Sequence, residues 1–512
     1  MKSLSIVALA ALSSFAQGEV KLPALFSDHA VLQRDIAAPV WGTAAPGEKV
    51  TVSIAGQSQS ATADASGKWS VKFASLSAGG PHELSVKGSN EIIIKDVLIG
   101  EAWLGSGQSN MAMTVNRAKD YEAEKAAATE PTIRMFIEKS SAATNPQTEC
   151  KGTWLVCSPE TVGGFSATLY FFGREIQRDL KVPVGLINSS VGGTPIESWI
   201  DADTQRAKPE LAGFFKPATK PVDIEQAKAL YQKQLAKWTQ DVKSARADKK
   251  PLPRKPRDPV ETQQRKGNIG GLFNGKIAPL VGYGIRGALW YQGEANAQPG
   301  KSPFYQHQLA LLVQDWRQRW GYEFPFAWVQ LPNFAGRADN WCEVREGMFK
   351  TLRLPHTGMA VTIDIGDERD IHPKNKQEVG RRLSLWALGS VYGRQVAISG
   401  PRFSGHEING SSITVNFTHT DGGLLFKGEP KGFVVAGEDQ KWQEASAKIE
   451  GDKLILTSPQ VTKPVAARYA WSDLPPVPLW NGAGLPASPF RTDDWQMPEP
   501  PPAPVRARPK AK

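Results

Sequence analysis

Cysteine and histidine are scarce in this chain: three Cys and seven His among 512 residues. None of them stands at the spacing of a zinc site, so no metal centre is expected. Long apolar runs are missing as well. The most apolar stretch near a terminus, Leu4 to Leu12, is too short to span a bilayer, which speaks against stable membrane insertion. It follows Met1-Lys2-Ser3 and precedes Ser14-Phe15-Ala16, the order of a secretory signal peptide cut after Ala16. A secreted or periplasmic protein is therefore expected. In an oxidising compartment Cys150 and Cys157 could close a small loop, leaving Cys342 over.

Charge is not lacking but is unevenly placed. The formal net charge is +10; residues 201–270 carry +7 of it and residues 498–512 the other +3. Neither segment interleaves aromatics with bases as a nucleic-acid platform does, so no nucleic-acid partner is expected. The Pro-rich, basic tail 497–512 reads as disordered.

Periodicity divides the rest. Residues 17–96 alternate apolar and polar in short segments such as Lys49–Ile54 and Trp69–Phe73, with glycine-rich turns between them, and predict a small β domain. Residues 97–393 switch to strands alternating with helices: helix 165–180, strand 184–188, strand 285–291, helix 304–320, strand 326–331, strand 359–365 and helix 376–391. That alternation implies an α/β domain with a mainly parallel sheet covered on both faces. A polar stretch, 203–268, breaks it. It reads as a helical insertion whose stripe of Ile224, Ala227, Tyr231, Trp238, Val242 and Ala245 is a docking surface. Short alternating strands return over 394–496 and predict a second β-sandwich-like domain.

In open α/β sheets ligands bind where strands end. Four strand ends here carry polar clusters. The first, Gly105-Ser106-Gly107-Gln108-Ser109-Asn110-Met111, sets a serine among small residues that let backbone N–H groups approach a ligand. The second, Asn188 to Thr194, contains Gly192-Gly193, whose unobstructed N–H groups suit an oxyanion hole. The third, Trp290 to Asn296, offers an Asn296 amide toward developing negative charge, and Gln292 or Glu294 toward sugar hydroxyls. The fourth, Asp364 to Pro373, puts His372 beside several carboxylates, and a carboxylate fixes an imidazole tautomer.

Taken in order, these segments resemble the SGNH hydrolases, and most closely their sialate O-acetylesterase family, which is also similar to bacterial acetylxylan esterases. The marks are Gly107-Gln108-Ser109-Asn110-Met111, Gly192-Gly193-Thr194 with Glu197-Ser198-Trp199, Trp290-Tyr291-Gln292-Gly293-Glu294 with Asn296, and Asp370-Ile371-His372-Pro373. The resemblance implies a three-layer α/β/α domain flanked by the β domains. It implies Ser109 as nucleophile and His372 as base. It implies an oxyanion hole of the Ser109 and Gly193 (or Gly192) N–H groups with Asn296, and sugar contacts from Gln108, Gln292 and Glu294. Removal of O-acetyl groups from a sugar or glycan would need no metal or other cofactor. Two departures stand out. Many SGNH enzymes place the triad acid three residues before the histidine, where Arg369 stands here; Asp370 is the expected acid, with Asp367 or a dyad as alternatives. Val344-Arg345-Glu346-Gly347-Met348 resembles the family's Arg-Glu-Ala-Gln without its last two residues.

Three functions compete. One is a carbohydrate O-acetylesterase acting on sialate or, alternatively, on acetylated xylan. Another is a catalytically silent glycan-binding protein using tryptophans of the β domains. The third is a lipid or thioester hydrolase, which would need a long apolar groove. The polar cluster of Gln292, Glu294 and Asn296 favours a sugar over a lipid.

Overall fold

The computed structural model describes residues 19–215, 224–248, 253, 255–256, 258, 269–335 and 340–496. The expected signal segment 1–16, the tail 497–512 and most of the basic run 249–259 lie outside these residues.

One strand, Glu91–Gly107, organises the molecule. Its first half pairs antiparallel with Gly79–Lys87, which itself pairs with Lys49–Ile54. Its second half is the middle of the central sheet. The order there is Thr357–Ala360, Phe326–Val329, Gly287–Tyr291, Glu91–Gly107, Val184–Ser190, Ile133–Glu138, Gly152–Val156. All of these neighbours run parallel except the last pair, an antiparallel edge that the periodicity did not announce. The expected boundary at 96/97 falls inside this continuous strand.

Strand alternation sorts side chains to two faces. Trp103, Leu186 and Leu289 point to one, where helices Ala167–Leu180 and Lys376–Ser390 supply Leu169, Ile176, Leu383 and Trp386. Leu104, Ile187 and Trp290 point to the other, against Leu309, Leu312 and Trp316 of helix Tyr305–Trp320. Caps start the first two helices where the sequence changes period: Ser166 accepts from Leu169 N and Asn375 from Glu378 N. Helix Ile224–Ala247 forms in the insertion. Its Trp238 donates to the Pro253 carbonyl at 2.8 Å, so part of the stripe is covered by its own following segment.

Antiparallel sheets make up the C-terminal part, Arg402–Asn409 with Ser412–Thr418, Lys453–Thr457 and Ser446–Glu450 in one, and Phe433–Ala436 with its neighbours in another. Arg345 ties this part to the core. Buried in helix Trp341–Thr351, it donates to the carbonyls of Leu331, Pro332, Ser472 and Asp473. The neighbouring Glu346 pairs with Arg491. The stretch that departs from the family's Arg-Glu-Ala-Gln is thus a joint between the core and the C-terminal sheets.

Glu101, the one charge in the apolar run before the nucleophile segment, is fully buried. Arg34 and Arg286 donate to its two carboxylate oxygens at 2.5 and 2.7 Å, and Tyr392 and Gln33 add two more bonds. Burial works against its charge, but the two guanidiniums outweigh it and hold the carboxyl below its usual range. All three cysteines are free thiols. Between Cys150 and Cys157 runs the strand Gly152–Val156. At about 3.3 Å per residue it holds them well beyond the ~4.4–6.8 Å between Cα atoms that a disulfide spans.

Candidate active site

The long strand ends at Gly107, and Ser109 opens the short helix Ser109–Ala112 just beyond it. The turn needs glycine. Gly107 has φ +132°, and a Cβ there would collide with the Tyr291 carbonyl of the adjacent strand. Gln108 is pinned by its N–H to Tyr291 O at 2.9 Å, and its side chain, almost fully buried, faces the Ala295 N–H. Ser109 is thereby fixed at the carboxyl end of the sheet.

His372 arrives from a loop 263 residues later in sequence, with Nε2 2.8 Å from Ser109 Oγ. Its Nδ1 lies 3.2 Å from Asp370 Oδ1, and its backbone N–H donates to the same oxygen at 2.9 Å. Asp367 sits one step back. It accepts from the N–H groups of Arg369 and Asp370 at 2.8 and 3.0 Å and shapes the turn rather than touching the imidazole. Of the two expected acids, the structure brings Asp370 to His372. The Asp370 side chain is 49 % exposed and that of His372 25 %. Burial pulls the His372 pKa below its ordinary value despite the opposing pull of Asp370, and Arg117 and Lys376 add positive charge in the same direction. A neutral imidazole bonded to a serine hydroxyl is the protonation state a general base needs.

The glycine pair lies beside the serine. A Cβ on Gly192 would sit 3.4 Å from Ser109 Cβ, while one on Gly193, at φ +71°, would meet nothing within 4 Å. Asn296 is fully buried. Its Oδ1 accepts from Ile196 N at 2.9 Å and Gln292 Nε2 at 2.7 Å, and its Nδ2 donates to Glu197 at 2.8 Å. Glu197 also holds Lys301 at 2.7 Å. Gln292 is enclosed too: it donates to Thr194 O and Asn296, and accepts from the Tyr305 hydroxyl at 3.0 Å. Its polar atoms brace the loops from within, with none left over for a sugar. Glu294 differs. One oxygen accepts from Asn110 Nδ2 at 2.6 Å, and the other, buried, has no hydrogen-bond partner. Burial raises its pKa.

Lys376 escaped the sequence reading, and Asn110 entered it only as part of a motif, without a role. Lys376, fully buried, donates to Asn110 Oδ1 at 2.7 Å and to Pro373 O at 2.9 Å. Asn110 donates in turn to Ile371 O at 3.0 Å as well as to Glu294. The carbonyls on both sides of His372 are thus clamped to the residue after Ser109. Burial drives the Lys376 pKa down to about 7 against the pull of Glu294. A signal existed: a lysine at the first position of a helix opposes the helix dipole and needs a local reason to be there. Among the described residues no group of three or more His, Cys, Asp or Glu could hold a metal, and no helix is long and apolar enough to cross a membrane.

Comparison with known proteins gives the chemistry a context. A family model described as carbohydrate esterase, sialic acid-specific acetylesterase, matches residues 100–248 and 275–387. The chain is 28 % identical over 507 residues to mouse sialate O-acetylesterase, covering 88 % of each protein. It is 28 % identical to the human sialate O-acetylesterase, covering 90 % of each. Among solved structures, a novel carbohydrate acetylesterase from Xanthomonas citri superimposes with a TM-score of 0.79 at 36 % identity, over 93 % of this chain and 100 % of that one.

Proposed function

The chain belongs to the sialic acid-specific acetylesterase family of carbohydrate esterases, and from that premise we propose that it removes O-acetyl groups from sugars through an acetyl-enzyme on Ser109. It is a carboxylic ester hydrolase. The proposal concerns how it works and on what.

The carrying observation is the 2.8 Å approach of His372 Nε2 to Ser109 Oγ. In the first half-reaction Oγ attacks the acetyl carbonyl while Nε2 takes its proton. The negative charge on the carbonyl oxygen falls to the N–H groups of Ser109 and Gly193 (or Gly192) and to the Asn296 amide. The C–O bond to the sugar then breaks, and His372 returns the proton to the departing sugar oxygen. In the second half-reaction water, deprotonated by His372, attacks the acetyl-enzyme; the C–Oγ bond breaks, His372 returns the proton to Ser109 Oγ, and acetate leaves. Asp370 orients the imidazole and steadies the imidazolium. Lys376 and Asn110 hold the two loops in register. Glu294, with an unpartnered oxygen, and Gln108 are the residues offered to the sugar, while Gln292 acts as an internal brace.

The relatives' names support sialic acid as the sugar, with acetylated xylan the alternative. The protein is read as exported after loss of residues 1–16, with β sheets on either side of the core in sequence. Acetate release should be measured on p-nitrophenyl acetate, 9-O-acetylated sialic acid, acetylated xylo-oligosaccharide and a long-chain ester. Ser109→Ala is expected to cut turnover by at least about 10³-fold while leaving the fold intact. Full activity in that variant would remove Ser109 from the nucleophile's role. The sugar giving the highest kcat/KM identifies the substrate.

A further inference from the structure

A cleft of about 970 Å³ opens at the opposite end of the sheet from Ser109. It lies where the N-terminal strands meet the core, beside Gly282 and Gly284 at the entry to the strand Gly287–Tyr291. The nucleophile is at that strand's exit. The two places are therefore a strand's length apart, roughly 15–20 Å at ~3.3 Å per residue, and the cleft takes no part in the acyl transfer.

Its floor follows from strand register. Pro39–Thr43 and Lys68–Lys72 form a two-stranded antiparallel ribbon, and residues directly opposite one another share a face. The pairs Pro39 with Lys72, Trp41 with Ser70, and Thr43 with Lys68 all line the cleft. The intervening Val40 and Val71 are buried in the core. The result is a narrow floor with an indole at its centre and hydroxyls and ammoniums around it. Trp41 is held in place by an edge contact to Phe26, centroids 4.8 Å apart. The facing wall carries Tyr322, 37 % exposed, whose hydroxyl is engaged with both backbone groups of Ile285. Both rings are therefore preset rather than mobile, which lowers the ordering cost of binding.

The chemistry of the walls narrows the ligand. Lys68 and Lys72 are matched by Asp64 and Glu149, so the cleft has no net charge with which to select an ion. A lipid chain or apolar peptide would desolvate these four groups without pairing them. A nucleic acid would meet two carboxylates and too little positive charge. A sugar chain uses both kinds of surface. Its C–H faces lie against the negative face of an aromatic ring, and its hydroxyls both donate and accept.

We propose that this cleft is a second, non-catalytic carbohydrate site that takes a neutral pyranose oligosaccharide. Held there, a glycan chain raises the local concentration of its own acetyl groups at Ser109. The gain appears as a lower KM on polymer, with kcat and the turnover of small esters unchanged. The binding goes beyond the esterase reading and does not depend on it; the lower KM rests on that reading.

The test uses calorimetric titration of full-length Ser109→Ala protein, so that no ligand is altered. The probes are deacetylated xylo-oligosaccharide, cello-oligosaccharide and sialyllactose. At least one neutral oligosaccharide should bind, and adding Ser70→Arg should weaken it at least tenfold by filling the floor. In a protein that retains Ser109, Ser70→Arg should leave p-nitrophenyl acetate turnover unchanged and raise KM several-fold on acetylated polysaccharide. Trp41→Ala should act likewise. If it loses the native circular dichroism, Ser70→Arg alone carries the test, since that side chain is exposed. Three results overturn the proposal: no neutral oligosaccharide bound at millimolar concentration, binding of sialyllactose alone, or binding that Ser70→Arg does not weaken. Acetate release on small esters is read separately, so loss of the cleft and loss of the esterase reading cannot be confused.

Discussion

Two buried charge networks lie along the strand Glu91–Gly107. At its middle, Glu101 is enclosed by two guanidiniums, a phenol and an amide, and both carboxylate oxygens are taken. Past its end, Glu294 keeps one oxygen without a partner and Lys376 is held near a pKa of about 7. The first network is fully compensated, the second only partly. Burying charge costs free energy unless partners replace water. The compensated site is where the fold is fastened; the under-compensated one lies against the reacting groups. Incomplete pairing, rather than burial itself, separates the two.

That contrast can be broken in three places. The largest effect belongs to Glu101→Ala, which leaves Arg34 and Arg286, each 22 % exposed, with only Asp35 as counter-charge, at 3.4 and 3.7 Å. Urea titration should show about 3–5 kcal/mol less stability, with kcat per folded molecule unchanged; lost activity at unaltered stability would undo the assignment. Lys376→Met comes next. It unfastens the clamp across His372, and kcat/KM should fall about 10²-fold for a loop displacement of about 1 Å. It also removes a positive charge that disfavours imidazolium. In the wild type, activity should rise with pH as His372 loses its proton, with a midpoint below the ordinary histidine value. In Lys376→Met the midpoint should move to higher pH, and Lys376→Arg should restore part of the shift. A purely structural lysine would leave the profile where it was. The smallest effect is Asp370→Asn. Replacing an enclosed triad aspartate costs about 10⁴-fold. Here the carboxylate is half in water and 3.2 Å from Nδ1, so a loss of about tenfold is expected, because solvent screens exposed pairs. A 10⁴-fold loss would mean that substrate closes over this side chain.

Much of the site was legible because its parts are local words. Ser109 follows an apolar run, and Asp370 and His372 are two residues apart, so motif and chemistry coincide. The helices 165–180, 304–320 and 376–391 were readable from the alternation of strands and helices, and the structure begins them at Ala167, Tyr305 and Lys376. Partnerships across distance were not legible. Gln292 and Glu294 stand two residues apart on one loop, and both read as sugar contacts. Only the arrival of Tyr305, Thr194 and Asn296 around Gln292, and of Asn110 alone at Glu294, sets them apart. The edge strand Gly152–Val156 went unseen because it is only five residues long and buries fully only Trp154. The pairing considered for Cys150 and Cys157 depended on that same missing strand, which holds the two thiols apart.

The strand that starts among the N-terminal sheets and delivers the nucleophile leaves no seam between them. Modules that can be exchanged between proteins usually meet at exposed linkers crossed by few contacts. Here the crossing is seventeen residues of unbroken strand, hydrogen-bonded on one side of the junction to Gly79–Lys87 and on the other to Val184–Ser190 and Gly287–Tyr291. A chimera or split protein cut near residue 96 would sever a ladder rather than a hinge. Grafting this catalytic core onto another scaffold therefore means carrying the N-terminal sheets along with it.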